Sequence, residues 1–404
     1  MDVKTNLLFF LFPFRGHSIQ AIKIIKMLND TGKYNILVDV GKEYEGYLPD
    51  NIEKHICLYK FKSKDYRNRY SKDELINYAE GILNTVVEYR LWFINCGFTP
   101  DLVCFDSLAY WGKVISEENA IQSISLHTIQ PFDNKSFRLD AYKYLYPYVK
   151  AFSDEQEFKR TLHIYERVSM CKYKIQKDFA FSDLLCAKGN NNIVLIPEDM
   201  CKYSNVLNDT FQIYNPIMDG ISVEGDIKEK TQDIYISTGS IISNKEYLCK
   251  CIEALALFES EIYVSGGKIA EELREKYRNN KKIHIYDFAP QIELLKKCKL
   301  FITHGGMNSI CESIYCETPM IVIPFINDEY LNAKMVEENG IGLILKEENT
   351  IESGLIDLFN TIIHNKKFND RIHYFSNKMK SIDTKTKVIE LFEDITVKRN
   401  SFLQ

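Results

Sequence analysis

The sequence predicts an α/β protein with two doubly wound, Rossmann-like domains that face each other across a cleft. Three observations support this fold class. Short apolar segments alternate with segments of helical periodicity in both halves of the chain. A polar stretch separates the halves, and the 404 residues suit two to three domains. Alternating strands and helices favour parallel sheets that are covered on both faces.

Each half of the chain contributes its own strands and helices. In the first half, "NLLFFLF", "GHSIQAIKIIKMLND" and "YNILVDV" predict a strand, a helix and a strand, and "DLVCFD", "LAYWGKVISEENA" and "IQSISL" repeat this pattern. In the second half, the predicted strands are "DIYIST", "EIYVSG", "KIHIYDF", "KLFIT", "PMIVIP" and "GIGLIL", with helices between them. Residues 60–95 and 128–175 are predicted to be helical insertions.

The segment 217–231 is the predicted linker because it combines two glycines with mixed charges. The N-terminal domain would then span 1–216 and the C-terminal domain 232–404, with the last helix packing back on the N-terminal domain. Ligands of doubly wound sheets bind beyond the carboxyl ends of the strands. We therefore expect functional residues in the turns that follow the strands.

Composition excludes several classes of function. The net charge of −5, from 51 basic and 56 acidic residues, gives no basic surface for nucleic acid. The 11 cysteines form no CxxC pair, which favours free thiols and predicts no metal site. "NLLFFLFPF" is too short to span a bilayer and lacks a signal-peptide cleavage site, so we expect a cytoplasmic protein without a transmembrane segment. Monomer and homodimer both remain open.

The segment "THGGMNSICE", residues 303–312, joins a predicted strand to a predicted helix. A helix N-terminus presents unpaired N–H groups and the positive end of the dipole, so it is suited to an anion. Gly306 permits close approach to the backbone, and His304, Asn308 and Ser309 add donors, which suits a diphosphate. A capped turn without a ligand is the alternative.

Further polar groups fall at neighbouring strand ends. Glu312 is suited to paired hydroxyls such as those of a ribose, and Asp328 with Glu329 can hold sugar hydroxyls by charge-assisted hydrogen bonds. Ser240 lies in a further candidate phosphate turn, and Phe288 offers an aromatic face in "DFAPQ". The alternatives are a core position for Phe288, a surface charge for Glu312 and a helix cap for Asp328.

The N-terminal half carries a candidate acid–base pair. His17 follows the first strand, and Asp106 ends a later strand of the same sheet. A histidine near its ordinary pKa can accept a proton from a hydroxyl when a carboxylate fixes its tautomer. A helix-capping histidine is the alternative. His127 is a weaker candidate for lining an acceptor pocket, against the alternative of a histidine satisfied within its turn.

The run from "DFAPQIELL" through "THGGMNSICESIYCETPMIVIPFINDEYLNA" closely resembles the donor-site signature of the family 1 glycosyltransferases, which have the GT-B fold. This resemblance implies that Phe288 stacks on the nucleotide base and that Ala289 pairs with it through its backbone. It also implies His17 as the base, oriented by Asp106, and a donor site with the following residues: Ser240, Gln291, His304, Gly306, Asn308, Ser309, Glu312, Asp328 and Glu329.

Three positions depart from the family pattern. Phe288 stands where many members have Trp, and Gln20 stands where Pro often follows the histidine. Glu329 replaces the usual Gln of an Asp-Gln pair, and this second carboxylate would disfavour a uronic acid donor.

The resemblance implies an inverting, metal-independent glycosyltransferase without a cofactor. It would move a hexose from a UDP or dTDP sugar to a hydroxyl of a small apolar or aromatic acceptor such as a natural product. The alternatives are another GT-B enzyme, such as a nucleotide-sugar epimerase, and a catalytically silent nucleotide-sugar-binding protein.

Overall fold

A computed structural model describes residues 4–60, 72–133, 135, 137, 154–176, 178–218, 230–239, 245–325, 328–346 and 350–402. The chain divides into two compact units, Met1–Ile217 with Asp383–Gln404, and Met218–Ile382. The last helix, Thr384–Phe402, therefore belongs to the first unit.

The first unit is built on a seven-stranded parallel sheet in the order β3-β2-β1-β4-β5-β6-β7. Its strands are β1 Thr5–Phe10, β2 Tyr34–Val40, β3 Glu53–Ile56, β4 Leu102–Asp106, β5 Gln122–His127, β6 Asn191–Leu195 and β7 Phe211–Tyr214. Among the described residues, its helices before β6 are α1 Arg15–Asp30, α2 Lys72–Asn95, α3 Tyr110–Glu118 and α4 Glu155–Tyr173. The helices α2 and α4 lie within the predicted helical insertions.

The second unit has a six-stranded parallel sheet in the order β10-β9-β8-β11-β12-β13. Its strands are β8 Thr231–Ser237, β9 Ile262–Ser265, β10 Ile283–Tyr286, β11 Cys298–Thr303, β12 Met320–Val322 and β13 Gly342–Ile344. Its helices in the described residues are α5 Lys245–Leu255, α6 Ala270–Tyr277, α7 Gln291–Lys297, α8 Met307–Tyr315, α9 Glu329–Glu338, α10 Ile351–Ile363 and α11 Lys366–Lys380. The helix that follows, α12 Thr384–Phe402, belongs to the first unit.

The apolar run of β1 follows from burial on both faces of its sheet. Phe9 belongs to the core under α1 and α12, whereas its neighbour Phe10 belongs to the core under α2, α3 and α4. On the first of these faces, Phe9 stacks against Phe392 of α12, with their ring centroids 6.4 Å apart. Because both faces are covered, every β1 residue from Leu7 onward is apolar and buried.

Strand order defines one switch point in each sheet, where the strands on either side connect in opposite directions. The switch lies between β1 and β4 in the first sheet and between β8 and β11 in the second. The crevice of a doubly wound sheet opens at this point, outside the carboxyl ends of the strands. The first crevice is bordered by the turns after Phe10 and Asp106, and the second by the turns after Ser237 and Thr303.

Candidate active site

The His17–Asp106 pair lies at the switch point of the first sheet. Asp106 is the last residue of β4 and His17 lies in the first turn of α1. The Nδ1 atom of His17 lies 3.0 and 2.9 Å from the two carboxylate oxygens of Asp106. The backbone N–H of Leu108 donates to Asp106 Oδ1 over 2.9 Å, which fixes the carboxylate. The structure thus brings together two residues that are 89 positions apart.

This contact determines which nitrogen of His17 can act as a base. A carboxylate only accepts hydrogen bonds, so the neutral imidazole carries its hydrogen on Nδ1 and donates it to Asp106. The lone pair is then on Nε2. Thr128 Oγ1 lies 3.2 Å from the same Nδ1. The side chain of Asp106 is 1% exposed and that of His17 is 11% exposed, so the carboxylate is screened from water while the ring reaches the surface.

Aromatic side chains surround His17. Its ring centroid lies 6.0 Å from that of Phe12 and 6.3 Å from that of Phe14. Behind them, Trp111 stacks on both Phe12 and Tyr59, at 5.9 and 5.5 Å between centroids. Within the described residues, the buried indole Nε1 of Trp111 has no hydrogen-bond partner. The His17 ring therefore has aromatic neighbours in addition to its polar contacts with Asp106 and Thr128.

His127 is fully buried and does not line a surface. Its Nε2 lies 3.3 Å from Asn192 Oδ1, and its Nδ1 lies 3.7 Å from the Cys186 sulfur. Burial lowers the pKa of His127 to about 4, so the ring is neutral. This geometry favours the alternative interpretation, a histidine satisfied inside the domain, over contact with an acceptor.

The turn between β11 and α8 lies at the switch point of the second sheet. Gly305 has a φ of +97°, which a residue with a Cβ rarely adopts. A Cβ at this position would also lie 2.7 Å from Val322 Cγ1. The N-cap of α8 is Gly306, which has no side chain to satisfy the first N–H groups of the helix. Asn308 and Ser309 follow in the first turn, and among the described residues the N-cap position supplies no side-chain hydrogen bond to this helix start.

The ring of His304 fills the space between two glycines of this turn. A Cβ on Gly239 would lie 2.7 Å from the His304 ring, and a Cβ on Gly306 would lie 2.6 Å from its Nε2. Burial lowers the pKa of His304 to about 4, against a smaller opposing effect of the Ser237 backbone. The Nε2 atom lies 4.0 Å from a carboxylate oxygen of Glu329. His304 is thus a neutral hydrogen-bonding group held beside the helix N-terminus.

Gln291 joins several of the predicted donor-site residues. Its amide nitrogen donates to Glu312 Oε2 over 2.5 Å and to Ser309 Oγ over 3.2 Å. Its amide oxygen accepts from the Tyr235 hydroxyl over 3.0 Å. Through these bonds, Gln291 holds the Glu312 side chain beside Ser309, which lies one helical turn earlier in α8. This fixed position argues against the alternative in which Glu312 is only a charge on the helix surface.

Phe288 lies on the loop between β10 and α7 and is 76% exposed. A core position for this ring is therefore wrong. The next residue, Ala289, is half-buried. An exposed aromatic ring costs hydrophobic free energy unless a ligand covers it, and a nucleobase is one ligand that would.

Asp328 and Glu329 begin α9. Asp328 occupies the N-cap position, but its side chain does not bond the N–H groups of the helix, and it instead accepts from Asn332 Nδ2 over 3.0 Å. Glu329 is buried, and its Oε2 accepts from the Phe325 backbone over 2.8 Å. Asp328 therefore occupies the N-cap position, as the helix-cap alternative has it, but its side chain does not cap the helix. Ser240, in the other candidate phosphate turn, lies outside the described residues.

Sequence reasoning missed two contacts of this site. Thr128 follows β5 directly, and a polar residue at that strand end was the available signal. Asn332 lies one helical turn after Asp328, at the i,i+4 spacing that brings side chains together. Among the described residues, no three His, Cys, Asp or Glu side chains form a metal-binding group. No helix in the described part of the chain is long and apolar enough to cross a membrane.

Comparisons with known proteins agree with this arrangement. Residues 233–386 match the family described as UDP-glucoronosyl and UDP-glucosyl transferase. YojK of Bacillus subtilis, an uncharacterized UDP-glucosyltransferase, is 25% identical over 390 residues, 93% of this chain and 94% of that protein. YjiC of Bacillus licheniformis, an NDP-glycosyltransferase, is 29% identical over 268 residues, 63% of this chain and 62% of that protein.

Among solved structures, the glycotransferase of kitacinnamycin has the same fold, with a TM-score of 0.75 at 17% identity over 97% of this chain and 99% of that one. The predicted fold class, with its two parallel-sheet α/β domains, is thereby confirmed. The family match over residues 233–386, the relatives and the shared fold together support a family 1 glycosyltransferase, a GT-B enzyme that uses nucleotide diphosphate sugars as donors.

Proposed function

We propose that this glycosyltransferase transfers a hexose from a UDP or dTDP sugar to a hydroxyl of a small apolar or aromatic acceptor. The transfer inverts the anomeric configuration and requires no metal ion. The observation that carries the proposal is the contact of both Asp106 oxygens with His17 Nδ1, at 3.0 and 2.9 Å. This contact supplies a base with a fixed tautomer and a buried counter-charge for its protonated form.

The chemical step is a single displacement. The acceptor hydroxyl gives its proton to His17 Nε2 as its oxygen forms a bond to the anomeric carbon of the sugar. The bond between that carbon and the diphosphate oxygen breaks, and the nucleotide diphosphate leaves with the electron pair. Because the acceptor enters opposite the leaving group, an α-linked donor gives a β-linked product. Asp106 stabilises the imidazolium that forms.

The leaving diphosphate carries the negative charge that develops in this step. We expect the diphosphate to be held by donors around the N-terminus of α8, which has no side-chain cap. These donors are the backbone N–H groups of its first turn, the side chains of Asn308 and Ser309, and the neutral ring of His304. Such preorganised donors stabilise a leaving group in the way that a divalent cation does in other transferases. This donor set supports metal independence.

The rest of the donor would be recognised by residues around the same turn. The exposed ring of Phe288 suits the nucleobase, with the backbone of Ala289 beside it, and Glu312, held by Gln291, suits the ribose hydroxyls. Asp328 and the buried Glu329 suit sugar hydroxyls, and their two negative charges favour a neutral hexose over a uronic acid.

The surroundings of His17 support the proposed acceptor class. Phe14 is half-buried beside the base, and the buried rings of Phe12, Tyr59 and Trp111 pack behind it, an environment that suits an apolar or aromatic acceptor. The structural neighbour with a TM-score of 0.75 is named for the natural product kitacinnamycin, which is consistent with this class.

The test is transfer from UDP-glucose and dTDP-glucose to a panel of hydroxylated aromatic compounds, with and without EDTA, for the wild type and His17→Ala. We expect a β-linked product, equal rates in chelator, and loss of transfer with nucleotide binding retained in the variant. A retained α-linkage or transfer by His17→Ala near the wild-type rate would refute the mechanism. Epimerised donor without acceptor would indicate an epimerase, and nucleotide binding without any turnover would indicate a silent homologue.

A further inference from the structure

Asn332 joins two parts of the donor site through a single side-chain amide. It lies in the first turn of α9 and is fully buried. Its Nδ2 donates to the carbonyl oxygen of Gly305 and to Oδ2 of Asp328, each over 3.0 Å. The two acceptors are 23 positions apart in the sequence, and one belongs to the diphosphate turn and the other to the sugar-binding pair.

The orientation of this amide is determined by its partners. Both neighbouring atoms are oxygens that accept hydrogen bonds, so both hydrogens of Nδ2 must point at them. The amide oxygen Oδ1 is buried and has no partner within the described residues. A buried, unsatisfied carbonyl is unfavourable for folding. Asn332 therefore contributes two hydrogen bonds through Nδ2, while its buried Oδ1 lowers the stability of the protein. Such a cost in stability is expected of a residue with a functional role.

The bond to Gly305 orients the peptide that precedes α8. In a trans peptide the C=O and the following N–H point in opposite directions, and no cis peptide occurs in the described chain. When Asn332 holds the Gly305 carbonyl towards α9, the N–H of Gly306 is turned the other way. Gly306 is the N-cap of α8, where the proposed diphosphate binds.

The bond to Asp328 fixes the second acceptor. The side chain of Asp328 does not cap its own helix, and the Asn332 amide holds one of its carboxylate oxygens. A sugar that binds Asp328 and shifts its carboxylate therefore also changes the position of the Asn332 amide, which orients the Gly305–Gly306 peptide.

We propose that Asn332 is a positioning residue that couples the diphosphate turn to the sugar-binding carboxylate. This inference rests on the proposed function, because it assigns a role within that donor site. Asn332 contacts neither reacting atom. It acts through the Gly305 carbonyl and through Asp328, so the affinity for the nucleotide diphosphate and the use of the sugar both depend on it.

The experiment is a double-mutant cycle with Asn332→Leu and Asp328→Ala. In the wild-type background, Asn332→Leu should lower UDP affinity about tenfold and kcat/KM about 100-fold, since loss of alignment is added to loss of binding. In the Asp328→Ala background, the same change should lower kcat/KM only about tenfold, because the sugar contact is already lost. An equal 100-fold loss in both backgrounds would overturn the coupling.

Asn339→Ala is the matched control, since Asn339 caps the other end of α9 and bonds the Met335 carbonyl. It should leave UDP affinity and transfer unchanged. Asn332→Ser serves if the leucine variant does not fold, and failure of both to fold would assign Asn332 to the fold and overturn the proposal. Absence of UDP and dTDP binding by the wild type would refute the proposed donor. Equal behaviour of the Asn332 and Asn339 variants in an active enzyme would refute the coupling alone.

Discussion

The change Asp106→Asn should abolish most of the catalytic power of His17 while preserving its position. Oδ1 of Asp106 accepts from the Leu108 N–H over 2.9 Å, so the amide oxygen of the new asparagine will occupy that place. Its NH₂ group then takes the place of Oδ2, 2.9 Å from His17 Nδ1. The amide oxygen at the Oδ1 position still lies 3.0 Å from Nδ1, but the donor at the shorter contact favours the tautomer in which Nδ1 accepts and the hydrogen of the neutral ring is on Nε2.

The expected loss in kcat is about 10³- to 10⁴-fold, or ~4–5.5 kcal/mol in the barrier, as for a histidine base in the wrong tautomer. The assay is initial-rate transfer of glucose from the preferred nucleotide sugar to a hydroxylated aromatic acceptor, from pH 6 to 9. Raising the pH should not restore the rate, because the defect is a tautomer and not a protonation equilibrium. UDP affinity should be unchanged. Activity within tenfold of wild type would refute the assignment of Nε2 as the base.

Three further changes test other parts of the structure. Phe288→Ala should weaken UDP binding by about 1–3 kcal/mol without altering the melting temperature, because the ring is 76% exposed; Phe288→Trp should restore binding, and unchanged affinity in the alanine variant would exclude stacking. Glu329→Gln keeps an oxygen for the Phe325 N–H but removes a charge, so the preference for UDP-glucose over UDP-glucuronate should fall about tenfold; an unchanged ratio would rule out charge repulsion. The pKa of His127 is lowered to about 4, so below pH 6.5 the unfolded chain takes up a proton that the native protein does not, and the unfolding free energy should fall by about 1.4 kcal/mol per pH unit towards pH 4. Urea unfolding of His127→Asn should lack this one-proton slope, and an identical slope would contradict the shift.

The sequence predicted those strands whose burial on both faces leaves a continuous apolar run, such as β1 and β11. It did not predict β3, because "EKHI" at the sheet edge is polar and only partly buried. The strand β6, "NNIVL", does carry an apolar run and was a detectable signal. Local patterns therefore identify strands with an apolar run, among them the edge strands β10 and β13, better than a polar strand such as β3.

For the candidate site, spacing and resemblance indicated which residues to examine, and tertiary contacts explain how those residues are held. The pairing of His17 with Asp106 was predictable because both follow strands of one sheet. The bonds from Gln291 to Glu312 and from Asn332 to Gly305 join residues 21 and 27 positions apart, and no local pattern gives such pairs. The side chain of Asp328 likewise bonds Asn332 and not the N–H groups of its helix, which only the tertiary structure reveals.

The assignment of α12 to the first unit determines how the two units can be separated for study. The second unit, Met218–Ile382, is continuous and can be expressed as a single fragment. The first unit is discontinuous, and Val388 and Phe392 of α12 are buried in its core. A fragment ending at Ile217 would therefore expose apolar surface and aggregate. A version that joins Ile217 to Asp383 through a flexible peptide would retain Val388 and Phe392 in that core and give the first unit in isolation.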